Sequence, residues 1–206
     1  MSILLSLIAL GVAVIMHEYM HGWVAQRCGD PTARLAGRLT LNPLAHIDPI
    51  GSVFLPLVLI FIHSPFLIGW AKPVPVNFQA LRNPKRDMIW VALAGPLANI
   101  VLALIASILL RTGIINSSSL LETLLVNVVF INLILAVFNM IPIPPLDGSR
   151  IVMGILPSNI AYRYSRLEPI GFFIVIFLLY IGFLSRFILP IVYSLVRLFL
   201  GRGFGI

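Results

Sequence analysis

His17-Glu18-Tyr19-Met20-His21 sets two histidines four positions apart, with a glutamate beside the first. Four residues on a helix turn through about 400°, so both imidazoles leave one face. Two imidazoles on one face can meet a single Zn²⁺ at roughly 2.0–2.1 Å. The glutamate next to them can reach a water on the metal without ligating the metal, as a general base must. Random placement of four His and three Glu yields this pattern roughly once in a thousand chains of this length. Two histidines need a third protein ligand, with the fourth position left to water. Glu122, Asp147 and Glu168 are the carboxylates near apolar segments. Asp147 stands out, because Pro142, Pro144 and Pro145 forbid a regular helix just before it and Gly148 after it permits an unusual turn. Irregular backbone at membrane depth is tolerated where it lines a polar cavity. The single Cys28 excludes an internal disulfide framework and a cysteine-based zinc site.

The elements that must hold these residues are apolar. Of 206 residues, 60% are hydrophobic and 10% charged. A soluble domain carries about 25% charged residues. The composition therefore excludes both a soluble globular protein and a disordered one. The net charge of +7 fits basic loops on one side of a membrane. It does not point to nucleic acid, because no Lys/Arg cluster interleaves with aromatics on a polar face.

The first apolar run, from Ser2 through Met16 and on to about Gln26, carries the His-Glu-x-x-His. It lacks a basic n-region and a small-residue cleavage site, so it reads as a retained span. Ionisable groups inside a span cost at least ~2.5–3.5 kcal/mol and are usually functional. Residues 27–48 are more polar, and Arg34–Asn42 alternates well enough for a strand or two. A second apolar run, 50–69, is interrupted by Pro56, His63, Pro65 and Gly69. Residues 70–87 hold three prolines and read as extended. Spans follow at about 88–110 and 120–141, joined by a loop at Asn116–Ser119. Residues 147–169 are polar. The last apolar stretch, 170–200, is broken at Gly182, Ser185-Arg186 and Pro190, giving two short spans or one broken helix. The expectation is an α-helical polytopic membrane protein with about five transmembrane helices. A re-entrant or β-containing membrane-associated segment lies between the first two long ones. The whole of 1–206 forms a single membrane-embedded domain, with its core at about 2–150 and C-terminal helices at about 168–200.

Three blocks together resemble the site-2 protease family of intramembrane zinc metalloproteases. They are His-Glu-x-x-His at 17–21, Gly95-Pro96-Leu-Ala-Asn99, and the Asn-x-x-Pro-x-x-x-x-Asp-Gly of 139–148. Their order and spacing match across about 150 residues. The resemblance is to small bacterial homologues that are little more than the catalytic core. It implies one Zn²⁺ per chain held by His17, His21 and Asp147, with Glu18 as the catalytic base. It also implies that Asn139 polarises the scissile carbonyl or holds the oxyanion. The implied substrate is a membrane protein cleaved within or near a transmembrane segment, as in regulated intramembrane proteolysis. The implied location is a bacterial inner membrane. Two features depart from the family: 206 residues leave no room for a PDZ-like or CBS-like module, and 50–69 is longer and more apolar than the loop some relatives have there.

Convergence of the ligands tests the topology. If 50–69 crossed the membrane, the ends of the first and fourth apolar runs would fall on opposite faces. If it dips in and returns, the ends meet. With a returning segment and an outside N-terminus, twelve Lys/Arg lie on one side and only Arg111 and Arg186 on the other. With a crossing segment the split is nine against five. The zinc then lies nearer the cytoplasmic face.

Other residues have plainer readings. Arg34–Asn42 or Val74–Asn77 can hold an unwound substrate by strand addition, but a membrane-surface loop is the preferred reading. His46 and Asp48 are either a loop-stabilising pair or support for the ligands. Asn99 bonds across helices or bears on the site. Trp23, Trp70 and Trp90 suit an aromatic belt. Two rival functions remain: a membrane zinc protease with Glu122 or Glu168 as third ligand, and a non-enzymatic metal-binding or transport protein. The second lacks a ligand relay and a repeat. Serine chemistry lacks a Gly-x-Ser-x-Gly.

Overall fold

The computed structural model describes residues 2–63, 69–115 and 119–201. Pro65, residues 116–118 of the expected loop, and Arg202 lie outside the described residues. The helices in order are α1 (Ser2–Arg27), α2 (Thr32–Leu35), α3 (Leu55–Phe61), α4 (Pro84–Arg111), α5 (Leu120–Asn139), α6 (Asp147–Ile155), α7 (Ser158–Ser165), α8 (Glu168–Tyr180) and α9 (Leu189–Leu200). Pro84 opens α4 at a position where its missing N–H costs nothing. The Ser119 hydroxyl caps α5 by accepting from the Glu122 N–H at 3.0 Å.

Small residues at a four-residue interval bring the long helices together. The buried face of α1 carries Ala9, Ala13, His17, His21 and Ala25, and that of α4 carries Val91, Gly95, Asn99 and Ala103. Lipid offers no hydrophobic drive between helices, so close backbone approach and interhelical hydrogen bonds hold them. From α5, Asn132 and Ala136 complete the interface, while Val129 and Leu133 pack with Ala103, Ala106 and Leu110 of α4 and Val192 and Val196 of α9.

Burial runs opposite to that of a soluble protein. Asn99 and Asn132 are fully buried, while Ile3, Leu4, Val101 and Ile108 face outward. Three helices are long and apolar enough to cross a membrane: Ile3–Arg27, Pro84–Arg111 and Leu120–Asn139. Together these features make the chain a membrane protein. A fourth candidate is the pair Glu168–Tyr180 and Leu184–Leu200, which is bent by 71°. About five spans were expected from the apolar runs. The described residues show three, or four if the bent pair is one span, because two of the runs are broken internally.

One of those runs begins as a π-helix, Pro49–Phe54, and continues as α3. Its 13 residues, Pro49–Phe61, cover roughly 20 Å against a hydrocarbon core of ~30 Å. The chain then comes back to where it began. The Trp70 N–H donates to the Gly51 carbonyl at 3.2 Å, and the Lys72 N–H donates to the His46 carbonyl at 2.9 Å. The Ser52 hydroxyl donates to the Trp70 carbonyl at 2.8 Å. Gly51 is required, because a Cβ there would sit 2.3 Å from the Trp70 indole. The β character expected of this segment is not found. No strand forms among the described residues. Residues 34–42 hold the end of α2, a turn at Gly37 with φ +65°, and the approach to a 3-10 turn at Pro43–His46. The Arg38 guanidinium donates to the Lys72 and Pro73 carbonyls, so a side chain does what a strand ladder would have done. Pro73 and Pro75 remove the donors a ladder would need.

Candidate metal centre

His17 and His21 lie one above the other on the α1 face that meets α4, with His17 7% and His21 8% exposed. Asp147 comes from the other end of the chain. After α5 the prolines hold residues 140–146 in turns, and the Tyr164 hydroxyl donates to the Pro142 carbonyl at 2.6 Å. Gly148 then allows the start of α6 to lie against this loop, since a Cβ there would be 2.2 Å from the Met140 carbonyl oxygen. Gly148 lies inside α6 and serves close approach; the unusual turn expected of it is not there. Asp147 is thereby delivered onto the two imidazoles.

Three atoms converge. His17 Nε2 and His21 Nε2 are 3.0 Å apart, and Asp147 Oδ2 lies 3.1 Å from the first and 3.3 Å from the second. Their protonation follows from their other partners. His21 Nδ1 is 2.7 Å from the Val91 carbonyl, which can only accept, so Nδ1 carries the proton. The Asn99 amide nitrogen donates to the Ala13 carbonyl at 3.1 Å and to Asn132 Oδ1 at 2.7 Å. Its Oδ1 therefore faces His17 Nδ1, 2.7 Å away, and that nitrogen also carries the proton. Asn132 is held in turn by donating to the Val128 carbonyl at 2.8 Å. The Asp147 carboxylate can only accept.

Two imidazole lone pairs and a carboxylate oxygen thus point into one space, and Asp147 Oδ2 is buried with no hydrogen-bond donor. Three acceptors at such spacing repel one another unless a cation lies between them. A tetrahedral ion with arms of 2.0–2.1 Å spaces its ligands at about 3.3 Å. The residues fit zinc. Gly95 keeps the space open from the α4 side, since a Cβ there would be 2.4 Å from His21 Nε2 and 2.6 Å from His17 Nε2.

Glu18 projects beside the pair and accepts the Val74 N–H on Oε2 at 2.7 Å. Asn139 is the last residue of α5, and one amide N–H donates back to the Leu135 carbonyl at 3.0 Å. Among the described residues, His17, His21 and Asp147 are the one cluster that can hold a metal. The rival third ligands are placed elsewhere. Glu168 pairs with Arg150, and Glu122 starts α5. His46 Nε2 donates to the Thr40 carbonyl of its own loop at 2.8 Å. Asp48 caps the π-helix by accepting the Ile50 and Gly51 N–H groups. Neither bonds the ligands. Burial and the nearby Asp87 push the Cys28 thiol up.

Sequence reasoning left Asn99 open between two roles, and it fills both. It missed Asn132, the Val91 carbonyl, Gly95 as a spacer, and Val74. A polar residue in the middle of an apolar run was the available signal for Asn132. The Val91 and Val74 contacts are made by backbone and leave no trace in residue types.

The family model for peptidase family M50 matches residues 5–115 and 111–182. The chain is 36% identical over 184 residues to "Putative zinc metalloprotease YwhC" of Bacillus subtilis, covering 85% of this chain and 80% of that one. It is 27% identical over 190 residues to "Zinc metalloprotease MJ0392" of Methanocaldococcus jannaschii, covering 91% of this chain and 45% of that one. It is 29% identical over 104 residues to "Regulator of sigma E protease" of Haemophilus influenzae, covering 48% and 24%. No solved structure matches.

Proposed function

The chain belongs to peptidase family M50, the site-2 protease family of zinc metalloproteases, and from that premise we propose that it hydrolyses a peptide bond in or near a transmembrane segment of a membrane protein, with Glu18 as general base. The observation that carries this reading is the convergence of three proton-free donors from α1 and α6, with Glu18 beside them.

His17, His21 and Asp147 would hold zinc, which when bound would supply a Lewis acid for acidifying water near neutrality and stabilising charge on a carbonyl oxygen. The remaining work belongs to the chain. Glu18 takes the proton from the attacking water and returns it to the leaving amine. The second N–H of the Asn139 amide donates to the carbonyl oxygen as charge builds there. Asn99 and the Val91 carbonyl keep both histidines in the tautomer that turns Nε2 inward. The substrate helix must open locally, because a helical carbonyl is already hydrogen-bonded. The protein is placed in the bacterial cell membrane as a multi-pass protein, with its centre toward the cytoplasmic face. The support for this is the twelve-to-two division of Lys and Arg and the return of the 50–69 segment at Gly51 and Trp70.

The test uses purified protein in detergent and a fluorophore–quencher peptide. The peptide carries one Leu/Ala-rich span of about 20 residues with a central Asn-Gly break. The parent is expected to hold one zinc and cleave the probe. Glu18→Gln should keep the zinc and lose cleavage, and Asp147→Ala should lose both. No cleavage by the zinc-loaded parent, or full cleavage by Glu18→Gln, refutes the reading.

A further inference from the structure

A general base must present one carboxylate oxygen to its proton in a fixed direction, and a glutamate on a helix has three rotatable bonds. We propose that the backbone N–H of Val74 is the positioning group for Glu18: it holds Oε2, leaving Oε1 to take the proton. This rests on Glu18 being the base, as proposed above.

The segment Lys72-Pro-Val-Pro-Val-Asn77 is built to aim that one N–H. Pro73 and Pro75 have no N–H, so Val74 carries the only donor between Lys72 and Val76. The prolines also fix φ on either side, which limits the directions the Val74 amide can take. The segment is tied down at both ends. The Lys72 N–H donates to the His46 carbonyl at 2.9 Å, and the Arg38 guanidinium donates to the Lys72 and Pro73 carbonyls at 2.8 and 3.3 Å. At the far end the Asn77 N–H donates to Asp30 Oδ2 at 2.7 Å. Asp30 is fully buried and is also held by the Thr32 N–H at 3.0 Å.

The Val74 side chain sets the depth. It is 7% exposed and seats against Gly22, where an added Cβ would be 2.8 Å from Val74 Cγ1. Gly22 follows His21 directly. One turn of α1 therefore carries the base, a ligand and the seat of the group that holds the base. The same geometry argues against Val74 as a donor to an added substrate strand, because its N–H is already on Glu18.

The experiment compares Val74→Pro, which deletes the N–H, with Val74→Ala, which keeps it, on the same probe peptide. Glu18→Gln and zinc content are measured alongside. The expected result is a kcat at least about tenfold lower in Val74→Pro than in Val74→Ala, with similar KM and one zinc in both, as a misplaced reacting group costs. Equal kcat in the two variants overturns the proposal, as does a change confined to KM, which would mean the segment holds substrate. Should Val74→Pro fail to fold, Gly22→Ala replaces it: its Cβ pushes Val74 away from Glu18. A lowered kcat that recovers in Gly22→Ala/Val74→Ala supports the proposal, and a parental kcat in Gly22→Ala, or a loss without recovery, overturns it. If Glu18→Gln is inactive while Val74→Pro matches Val74→Ala, only the positioning role fails. If Glu18→Gln is active, the base assignment fails with it.

Discussion

Gly95→Ala sets two effects against each other at one methyl group. Replacing an interior helix glycine with alanine stabilises the helix by about 1 kcal/mol. The structure places the new Cβ 2.4 Å from His21 Nε2 and 2.6 Å from both Cε1 and Nε2 of His17. Ordinary contact is ~3.5 Å, so the imidazoles or α4 must retreat by about 1 Å. Overpacking of this kind costs about 1–3 kcal/mol, which cancels the helix gain or exceeds it. The metal suffers more, since ligand distances hold within about 0.2 Å. Zinc affinity should fall by at least about 100-fold, the upper end of what supporting-residue changes cause. Gly11→Ala is the control. It lies in α1 with nothing within 4 Å of its Cβ, so it should keep the zinc affinity and gain the helix stabilisation. Affinity is read by competition with a chromophoric chelator, and stability by thermal melting of the detergent-solubilised protein. Parental zinc affinity in Gly95→Ala would refute the apposition of α4 against the two histidines.

Asn99→Leu removes the acceptor that fixes the His17 tautomer and takes from Asn132 Oδ1 its Asn99 donor. It should weaken zinc binding by about 10–100-fold in the same chelator assay. Glu168→Ala breaks only the ion pair with Arg150 and should leave zinc content unchanged, whereas Asp147→Ala should abolish it; the reverse pattern by metal analysis would make Glu168 the third ligand. Stripping zinc with a chelator should lower the melting temperature of the parent. At a free zinc concentration a hundred times Kd, binding contributes about 2.7 kcal/mol, and Asp147→Ala should show no such shift.

How much of this could be read from residue order differs by element. The spans at 2–26, 88–110 and 120–141 were legible because hydropathy over 20 residues is a strong signal. The structure places them at Ser2–Arg27, Pro84–Arg111 and Leu120–Asn139. His17, His21 and Asp147 stood out because ionisable groups are scarce in so apolar a chain, and the structure brings the three together. The strand at 34–42 was misjudged. Alternation over a few residues is a weak signal, and here Arg38 satisfies neighbouring carbonyls with its side chain while Asn42 caps a 3-10 turn. The bend between α8 and α9 was visible only as a break, because Gly182 and Pro190 mark a discontinuity without giving its angle. Gly95 read only as part of the Gly95-Pro96-Leu-Ala-Asn99 block. Its meaning lies in what a Cβ would strike, and that depends on His17 and His21 of a helix far away in sequence.

The four-residue stripe on α1 has a mechanical consequence. The same file of residues that packs α1 against α4 also carries His17 and His21, with alanines above and below them. A rotation of α1 by a single residue position, about 100°, would carry both imidazoles off the interface together. Chemistry and helix registry are therefore one variable. At 26 residues α1 is about 39 Å long against a hydrocarbon layer of ~30 Å, and its packing on α4 and α5 sets how it lies. Whatever fixes the angle of that one helix fixes the histidine pair with it.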